Sequence, residues 1–475
     1  MPHKSAAFGE GTRHPCKARN NTRQGVTLSA MTRRLLSISC LAALAAFAQA
    51  PAGGLNPAVQ AVVEGISEQR IAAIEQKLES FGTRNLLSSQ DDPEHGIGAA
   101  RRWIEQEMKS FSPRLDVRQE CHLEKKNLRV TRDVQLCNVV AELKGTVHPE
   151  RYLIVSGHYD SIVLVFKKDQ PRVIDAEATA AVPVAPGVTD DASGVAAVME
   201  LARVMSTRQY EKSILFVAFA GEEQGLLGSR YMADQARQHD AQIEAVLNND
   251  IIGSDAAGNG RKEDSSVRVY SDGPEDSGPR ALARYAKEIS ERYVPSMRMN
   301  LVFRADRFGR GGDHTPFAED GFAAVRLTST EENYANQHTP HDTFANTSPS
   351  YTTRVARMNG AVLATLALAP KPPGVTRMTA GRAAPMLTRG KSGYDAALQW
   401  TYDQPESDLA GFVIVMRDST SPVWQKQIAV GNVREYVLPD VSIDDIVIGV
   451  KAVDRDGNES LVSAYAITPF RLVPR

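Results

Sequence analysis

Apolar residues follow two alternating patterns between residues 59 and 368. Short, almost continuous apolar runs, typical of buried strands, occur at 152–156, 213–220, 244–252 and 323–328. Helical spacing of apolar residues is found at 59–81, 96–111, 193–205, 226–235, 279–293 and 351–368. This alternation predicts an α/β domain whose mainly parallel mixed sheet is sandwiched by helices.

The pattern changes after a proline-rich segment at 370–374, which predicts a linker that few contacts cross. Short alternating strands then follow and predict a small all-β sandwich, at 397–400, 411–417, 436–438 and 446–453. We therefore predict three regions: an N-terminal extension with a signal peptide at 1–50, an α/β domain at 51–370 and a β-sandwich at 371–475.

The N-terminus has the pattern of a secretory signal peptide. Arg33 and Arg34 precede an apolar run at 35–47 that ends in the small-x-small sequence of residues 48–50. The pattern predicts export to the periplasm or the medium, with Met31 as the true start. The alternative is a disordered tail.

Composition excludes some classes of partner. The net charge is −2 and the pI is near 6.6, so there is no electrostatic case for binding nucleic acid or an anionic membrane. No apolar run is long enough to form a transmembrane segment. Cleavage after residue 50 would leave two cysteines, Cys121 and Cys137, either as one disulfide or as two buried thiols.

Acids and histidines follow the predicted strands or begin the helices after them. The candidates are His158, Asp190, the pair Glu222 and Glu223, Asp250 and His338. Two imidazoles and several carboxylates suit zinc, and five ligands suit two ions that share one carboxylate. Two such ions still need a general base that is not a ligand, and adjacent glutamates offer both functions.

Together these segments resemble the zinc exopeptidases that include bacterial leucyl aminopeptidases, glutamate carboxypeptidase and glutaminyl cyclase. The resemblance covers about residues 59–370. It implies two zinc ions, with Asp190 shared by both, His158 and Asp250 on one, and Glu223 and His338 on the other.

The same resemblance implies roles for two further acids. Glu222 matches the general base, and Asp160 matches a carboxylate that orients the histidine two residues before it. It also makes the peptide bond between Asp190 and Asp191 a candidate for the cis form. The C-terminal region resembles a fibronectin type III module through Trp400 and the strands after it, and is a candidate for binding protein or cell-surface material.

The sequence departs from this family in two places. Gln337 and Gly311 stand where members carry tyrosines, so the oxyanion donor is left open between Arg310 and Tyr334. The segment Ile162–Ala185 is longer than expected and forms either a rim over the site or a plain surface loop.

The resemblance and the site favour an aminopeptidase acting on peptides. The alternatives are a carboxypeptidase, a glutaminyl cyclase and a binding protein without catalysis. Arg304, Arg307 and Arg310 would support the carboxypeptidase if they clamp a carboxylate, and otherwise form a solvated basic loop.

Overall fold

The computed structural model describes residues 55–305, 311–379, 382–403 and 406–466. The predicted signal peptide lies outside these residues. Within them, no helix combines the length and the apolar character needed to cross a bilayer.

An eight-stranded sheet with a small two-stranded insert forms the first part of the fold. The strands are β1 (Leu115–Glu124), β2 (Val134–Leu143), β3 (His148–His158), β4 (Phe166–Lys167), β5 (Gln170–Ile174), β6 (Lys212–Phe219), β7 (Gln242–Asn249), β8 (Ser266–Tyr270), β9 (Arg298–Val302) and β10 (Ala324–Ser329). The order in the large sheet is β1-β2-β6-β3-β7-β10-β8-β9, while β4 and β5 form a separate hairpin. The four central strands β6, β3, β7 and β10 are parallel. The predicted mainly parallel mixed sheet is therefore confirmed.

Nine α-helices are described in this part of the chain. They are α1 (Pro57–Gly65), α2 (Glu68–Glu79), α3 (Gly96–Phe111), α4 (Ala176–Ala180), α5 (Ser193–Met205), α6 (Leu227–Gln238), α7 (Gly278–Tyr293), α8 (His314–Glu319) and α9 (Pro349–Leu368). Among them, α3, α5, α6, α7, α8 and α9 contact strands of the sheet. The single helix predicted at 59–81 is two helices. Ile66 is extended, and the Ser67 hydroxyl then accepts a hydrogen bond from the Arg70 amide and begins the second helix.

The strands β1 and β2 at the outer edge of the sheet form an antiparallel hairpin, as the alternating pattern around the two cysteines indicated. Cys121 and Cys137 are direct partners in this register, with Cα atoms 4.0 Å apart, and they form a disulfide. Of the two alternatives for these cysteines, the structure therefore has the disulfide.

Small antiparallel sheets make up the C-terminal region. Their strands are β11 (Thr376–Thr379), β12 (Arg382–Pro385), β13 (Leu387–Thr388), β14 (Ala396–Gln399), β15 (Leu409–Asp418), β16 (Lys426–Gly431), β17 (Glu435–Leu438), β18 (Ile446–Asp454) and β19 (Ser463–Ala464). The sheets β13-β14-β17 and β16-β15-β18-β19 enclose one core around Trp400, Phe412 and Val450. The likeness of this region to a fibronectin type III module stays a prediction.

More contacts cross the linker than its composition suggested. Arg417 of β15 is buried and lies 2.8 Å from Asp276 and 2.9 Å from Glu275, which both precede α7. The buried Lys451 of β18 lies 3.3 Å from Glu288 of α7. The expectation of few contacts across residues 370–374 is wrong, because a proline-rich linker marks a change of local structure and carries no information about the surfaces on either side.

Candidate metal centre

The predicted site residues meet at one edge of the central sheet. His158 is the last residue of β3, Glu223 follows β6, and Asp250 comes directly after β7. These three strands are parallel neighbours, so their carboxyl ends share that edge. Asp190 and His338 reach the same place from loops that precede α5 and α9.

Asp190 lies between two groups of possible ligands. Its Oδ1 is 3.1 Å from His158 Nε2, and its Oδ2 is 3.1 Å from His338 Nε2. His158 Nε2 is also 3.8 Å from Asp250 Oδ1, and His338 Nε2 is 3.2 Å from Glu223 Oε1. Within each group of three, the candidate ligand atoms all lie within 4.8 Å of one another. The five residues therefore converge as the sequence predicted.

Two buried atoms of this cluster make no hydrogen bond within the described residues. They are His158 Nε2 and Glu223 Oε1. A buried polar atom without a hydrogen-bond partner is costly, and metal coordination is one way to satisfy it. Imidazole nitrogens and carboxylate oxygens around a shared carboxylate are donors that zinc accepts. The residues present therefore fit a pair of such ions.

The electrostatics of the cluster call for positive charge. Burial alone would lower the pKa of His338, but Glu223 and Asp190 outweigh that effect and raise this pKa to about 11. Burial would raise the pKa of Asp190, yet the two histidines, each with Nε2 at 3.1 Å from its carboxylate, hold it well below the usual range. The carboxylates thus stabilise any cation among them, whether a protonated imidazole or a metal ion.

Asp160 connects the first histidine to the glutamate pair. Its carboxylate lies 3.6 Å from His158 Nδ1, and its backbone oxygen lies 3.1 Å from the same nitrogen. Its two carboxylate oxygens accept the backbone N–H groups of Glu222 and Glu223, each at 3.2 Å. One fully buried acid therefore fixes both the imidazole ring and the turn that carries the two glutamates.

Two further acids hold the backbone around Asp190, and the sequence analysis gave neither of them this role. Asp342 accepts the N–H groups of Thr189 and Asp190, each at 3.0 Å. Asp191 accepts the N–H groups of His158 and Gly194, each also at 3.0 Å. The peptide bond between Asp190 and Asp191 is cis, as predicted. In the sequence, the only indication that Asp342 belongs to the site was its position four residues after His338.

Two buried arginines support the acidic cluster and were also missed. Arg326 of β10 lies 3.0 Å from Asp250. Arg84 donates to the backbone oxygens of Tyr159, Pro186 and Gly187 at 2.7, 2.6 and 2.8 Å, which secures the loop before Asp190. Burial lowers the pKa of Arg84 to about 10, while the nearby aspartates oppose this shift. In the sequence, Arg326 is a single charged residue inside the apolar strand at 323–328, and this could have indicated a buried ion pair.

The two groups of possible ligands face a cavity of about 250 Å³, which we call the central cavity. Several residues around it have a positive φ, which is disfavoured for residues other than glycine. Leu226, Ile251 and His338 line this cavity and have φ values of 61°, 64° and 55°. Such residues persist where surrounding contacts hold them. Ile251 donates its N–H to Asp191 at 3.2 Å and accepts the Ser329 N–H at 2.8 Å. Hydrogen bonds to Asp191 and Ser329 thus hold Ile251 in this disfavoured conformation beside the site.

The segment Ile162–Ala185 forms part of the site's rim. The Leu164 N–H donates to the His338 backbone oxygen at 3.1 Å. Residues of β4, β5 and α4 line a second cavity together with Glu223. Of the two alternatives for this segment, the structure therefore has the rim.

Among the described candidates for the oxyanion donor and the carboxylate clamp, neither Tyr334 nor Arg304 lines the central cavity. Tyr334 is 61% exposed, donates to Glu332 and lines a different cavity. Gln337 also donates to Glu332, at 3.1 Å. Arg304 is exposed and donates to the Ala305 backbone oxygen, while Arg307 and Arg310 lie outside the described residues. The arginine clamp stays a prediction.

Comparison with known proteins places the chain in a family. A model described as "Peptidase family M28" matches residues 138–363, the segment that contains all five possible ligands. A protein named a probable zinc metalloprotease from Leptosphaeria maculans is 36% identical over 444 residues, which cover 87% of this chain and 96% of that protein. The chain belongs to peptidase family M28. This membership confirms the resemblance to zinc exopeptidases.

A second relative matches this M28 chain over most of its length, and a solved structure shares its fold. A probable zinc metalloprotease from Pyricularia oryzae is also 36% identical, covering 85% of this chain and 83% of that protein. The crystal structure of LapB from Legionella pneumophila has a TM-score of 0.50 at 20% identity, covering 66% of this chain and 76% of that one. At this low identity the structural match shows the zinc exopeptidase fold alone.

Proposed function

We propose that this chain is a zinc-dependent aminopeptidase that hydrolyses N-terminal peptide bonds. The observation that carries the proposal is the pair of three-residue groups that share Asp190, with Glu222 lining the same cavity. The fungal relatives named as probable zinc metalloproteases support the metal and the reaction class.

The ligands would be divided between two ions. His158 and Asp250 would hold one, Glu223 and His338 the other, and Asp190 both. When bound, zinc supplies Lewis-acid polarisation of the scissile carbonyl and acidifies the attacking water. Asp160 keeps the His158 ring in the orientation that presents Nε2 to the site, since it lies against Nδ1.

Glu222 would move the proton. Its backbone N–H donates to Asp160, and its side chain belongs to neither group of possible metal ligands. The carboxylate accepts a proton from the attacking water and returns it to the leaving nitrogen as the peptide bond breaks. The adjacent Glu223 stays with the metal, so the two neighbours have separate tasks.

One experiment separates the proposal from its alternatives. The zinc-loaded protein is given aminoacyl-p-nitroanilides, N-acetylated peptides and C-terminally amidated peptides, and its zinc content is measured. We expect turnover of substrates with a free amine and none of the N-acetylated ones. The converse preference would identify a carboxypeptidase, release of ammonia from N-terminal glutamine a cyclase, and bound zinc without turnover a binding protein.

We further propose that the protein is exported. Support comes from the basic and apolar pattern of residues 33–50 and from the disulfide, since disulfides persist mainly in oxidising compartments. N-terminal sequencing of the secreted or periplasmic protein should find a start near Pro51. An uncleaved chain in the cytoplasm would contradict this.

A further inference from the structure

A second cavity of about 450 Å³ opens beside the central cavity. We call it the side pocket. Its lining combines charged and polar residues with an apolar set formed by Leu87, Leu128, Ile162, Val173, Ile174, Ala176 and Ala180. Glu223 and Arg129 line both cavities, so the side pocket is continuous with the candidate metal centre. A group bound there would lie directly next to the reacting bond.

Arg129 brings a cation to a cavity otherwise rich in acids. Asp190, Glu222, Glu223 and Asp250 line the central cavity, and each has a place in the proposed metal chemistry. Arg129 is exposed, and its guanidinium makes no ion pair or hydrogen bond with any described residue. It is therefore available to an anionic group of a ligand, for which a guanidinium is well suited.

The backbone that carries Arg129 is fixed in place. The Asn127 side chain accepts the N–H groups of Arg129 and Val130 at 2.8 and 2.9 Å. Val130 is fully buried beneath this turn. Arg129 thus projects from a preformed turn, and the entropy lost on binding is limited to its own side chain.

The whole tip of the β1–β2 hairpin, residues 125–133, is anchored on three sides. Lys125 pairs with Asp133 at 2.7 Å, and Arg132 donates to the backbone oxygen of Leu87 in the pocket wall. The Cys121–Cys137 disulfide joins the two strands three residue pairs from the end of their ladder at Glu124 and Val134. Although the tip is anchored, Leu128 remains 92% exposed, and its side chain faces the side pocket with Arg129.

The opposite wall of the side pocket comes from the rim segment. Lys167 and Arg172 line it, and neither forms an ion pair with a described residue. Asp175, which also lines it, uses its carboxylate to accept the Ala178 N–H at the start of α4. The side pocket therefore offers three cations without an ion-pair partner among the described residues, Arg129, Lys167 and Arg172, together with apolar side chains. The acids Glu177 and Glu223 also line it, so we place a ligand carboxylate at Arg129, whose guanidinium has no acid paired with it among the described residues.

We propose that the side pocket binds the C-terminal residue of a short peptide, with its apolar side chain in the pocket and its free carboxylate on Arg129. The inference rests on the proposed function and specifies its substrate class. Because the pocket adjoins the candidate metal centre, the peptide would end immediately after the scissile bond. The preferred substrates are dipeptides with an apolar second residue.

The test compares matched substrates. Values of kcat/KM are measured for Leu-Leu, Leu-Leu-amide and Leu-Ser with the zinc-loaded wild type, Arg129→Ala and Lys126→Ala. Lys126 is the control because it removes a charge from the same hairpin tip without lining either cavity. We expect the wild type to prefer Leu-Leu over its amide by roughly 10- to 100-fold, the range of one charge-assisted contact.

The variants should separate binding from folding. Arg129→Ala should bring the ratio of acid to amide close to one, Arg129→Lys should restore part of it, and Lys126→Ala should keep it. Leu-Leu should also exceed Leu-Ser in every protein that retains the pocket. Wild-type cleavage with equal kcat/KM for acid and amide would overturn this inference alone. Failure to cleave any peptide would instead overturn the proposed function.

Discussion

Replacing Asp160 by asparagine tests how the site is held together. The two carboxylate oxygens accept two backbone N–H groups, those of Glu222 and Glu223, at 3.2 Å each. Asparagine has one acceptor oxygen, so its NH₂ group would face one of these donors. A buried donor left without an acceptor costs about 1–3 kcal/mol, and we expect the free energy of unfolding to fall by that amount.

The same change should weaken metal binding. The His158 ring would lose the carboxylate that lies 3.6 Å from Nδ1. Loss of such a supporting carboxylate typically lowers metal affinity or activity about 10- to 100-fold. Chelator competition measures zinc affinity, and urea unfolding measures stability.

Asp92→Asn provides the matched control. Asp92 also accepts two backbone N–H groups, at 2.8 and 2.9 Å, but both donate to the single oxygen Oδ1, which asparagine retains, and the group lies near the surface and away from the site. Because Asp92→Asn keeps the acceptor of both bonds, both measurements should stay at wild-type values. If Asp160→Asn kept wild-type zinc affinity and stability, the role assigned to Asp160 would be refuted.

Three further predictions concern the base, a buried acid and the disulfide. Glu222→Gln should keep the zinc content and lower kcat by about 10²- to 10⁴-fold, whereas near-normal turnover with full zinc would exclude it as the base. Burial raises the pKa of Glu75 from 4.5 to about 8. Between these two pH values the folded state keeps a proton that the unfolded chain has released. The free energy of unfolding therefore falls as the pH rises through that range. Glu75→Gln should remove this fall, worth up to about 5 kcal/mol at pH 9, and leave stability at pH 4 unchanged; a pH profile of unfolding identical to the wild type would contradict it. The thiols of Cys121 and Cys137 should become titratable only after reduction, with a loss of about 3 kcal/mol for a loop of this length, and free thiols at these two positions in the purified protein would contradict the pairing.

The ligand set could be predicted because it follows sheet geometry. His158 and Asp250 end neighbouring parallel strands, and the carboxyl ends of such strands necessarily lie together. The supporting acid Asp342 was harder to recognise, since its partners are backbone N–H groups of a loop about 150 residues earlier. A backbone donor has no signature in the sequence, so contacts of this kind emerge only from the fold.

Other features depend on tertiary surfaces that local patterns do not describe. Arg417 in the C-terminal region looks like an ordinary charged residue at the end of a strand, yet it is buried against Asp276. Arg129 and Leu128 look like part of a polar hairpin tip, and their relation to Glu223 follows from how the hairpin sits beside the sheet. The division of the segment 59–81 into two helices was visible locally, in Gly65 and Ser67, but helical periodicity outweighed it.

The ion pairs that join α7 to the C-terminal sheets also affect the order of events during synthesis. The acids before and within α7 are translated well over a hundred residues before Arg417 and Lys451, their buried partners. Until the ribosome has released β15 and β18, Glu275, Asp276 and Glu288 have, among the described residues, only the arginines of α7 as ion-pair partners. Breaking buried pairs of this kind typically costs 3–5 kcal/mol, so the domain gains its full stability only near the end of translation. If the chain is exported, its α/β domain would have a lower free energy of unfolding while the last strands are still being synthesised.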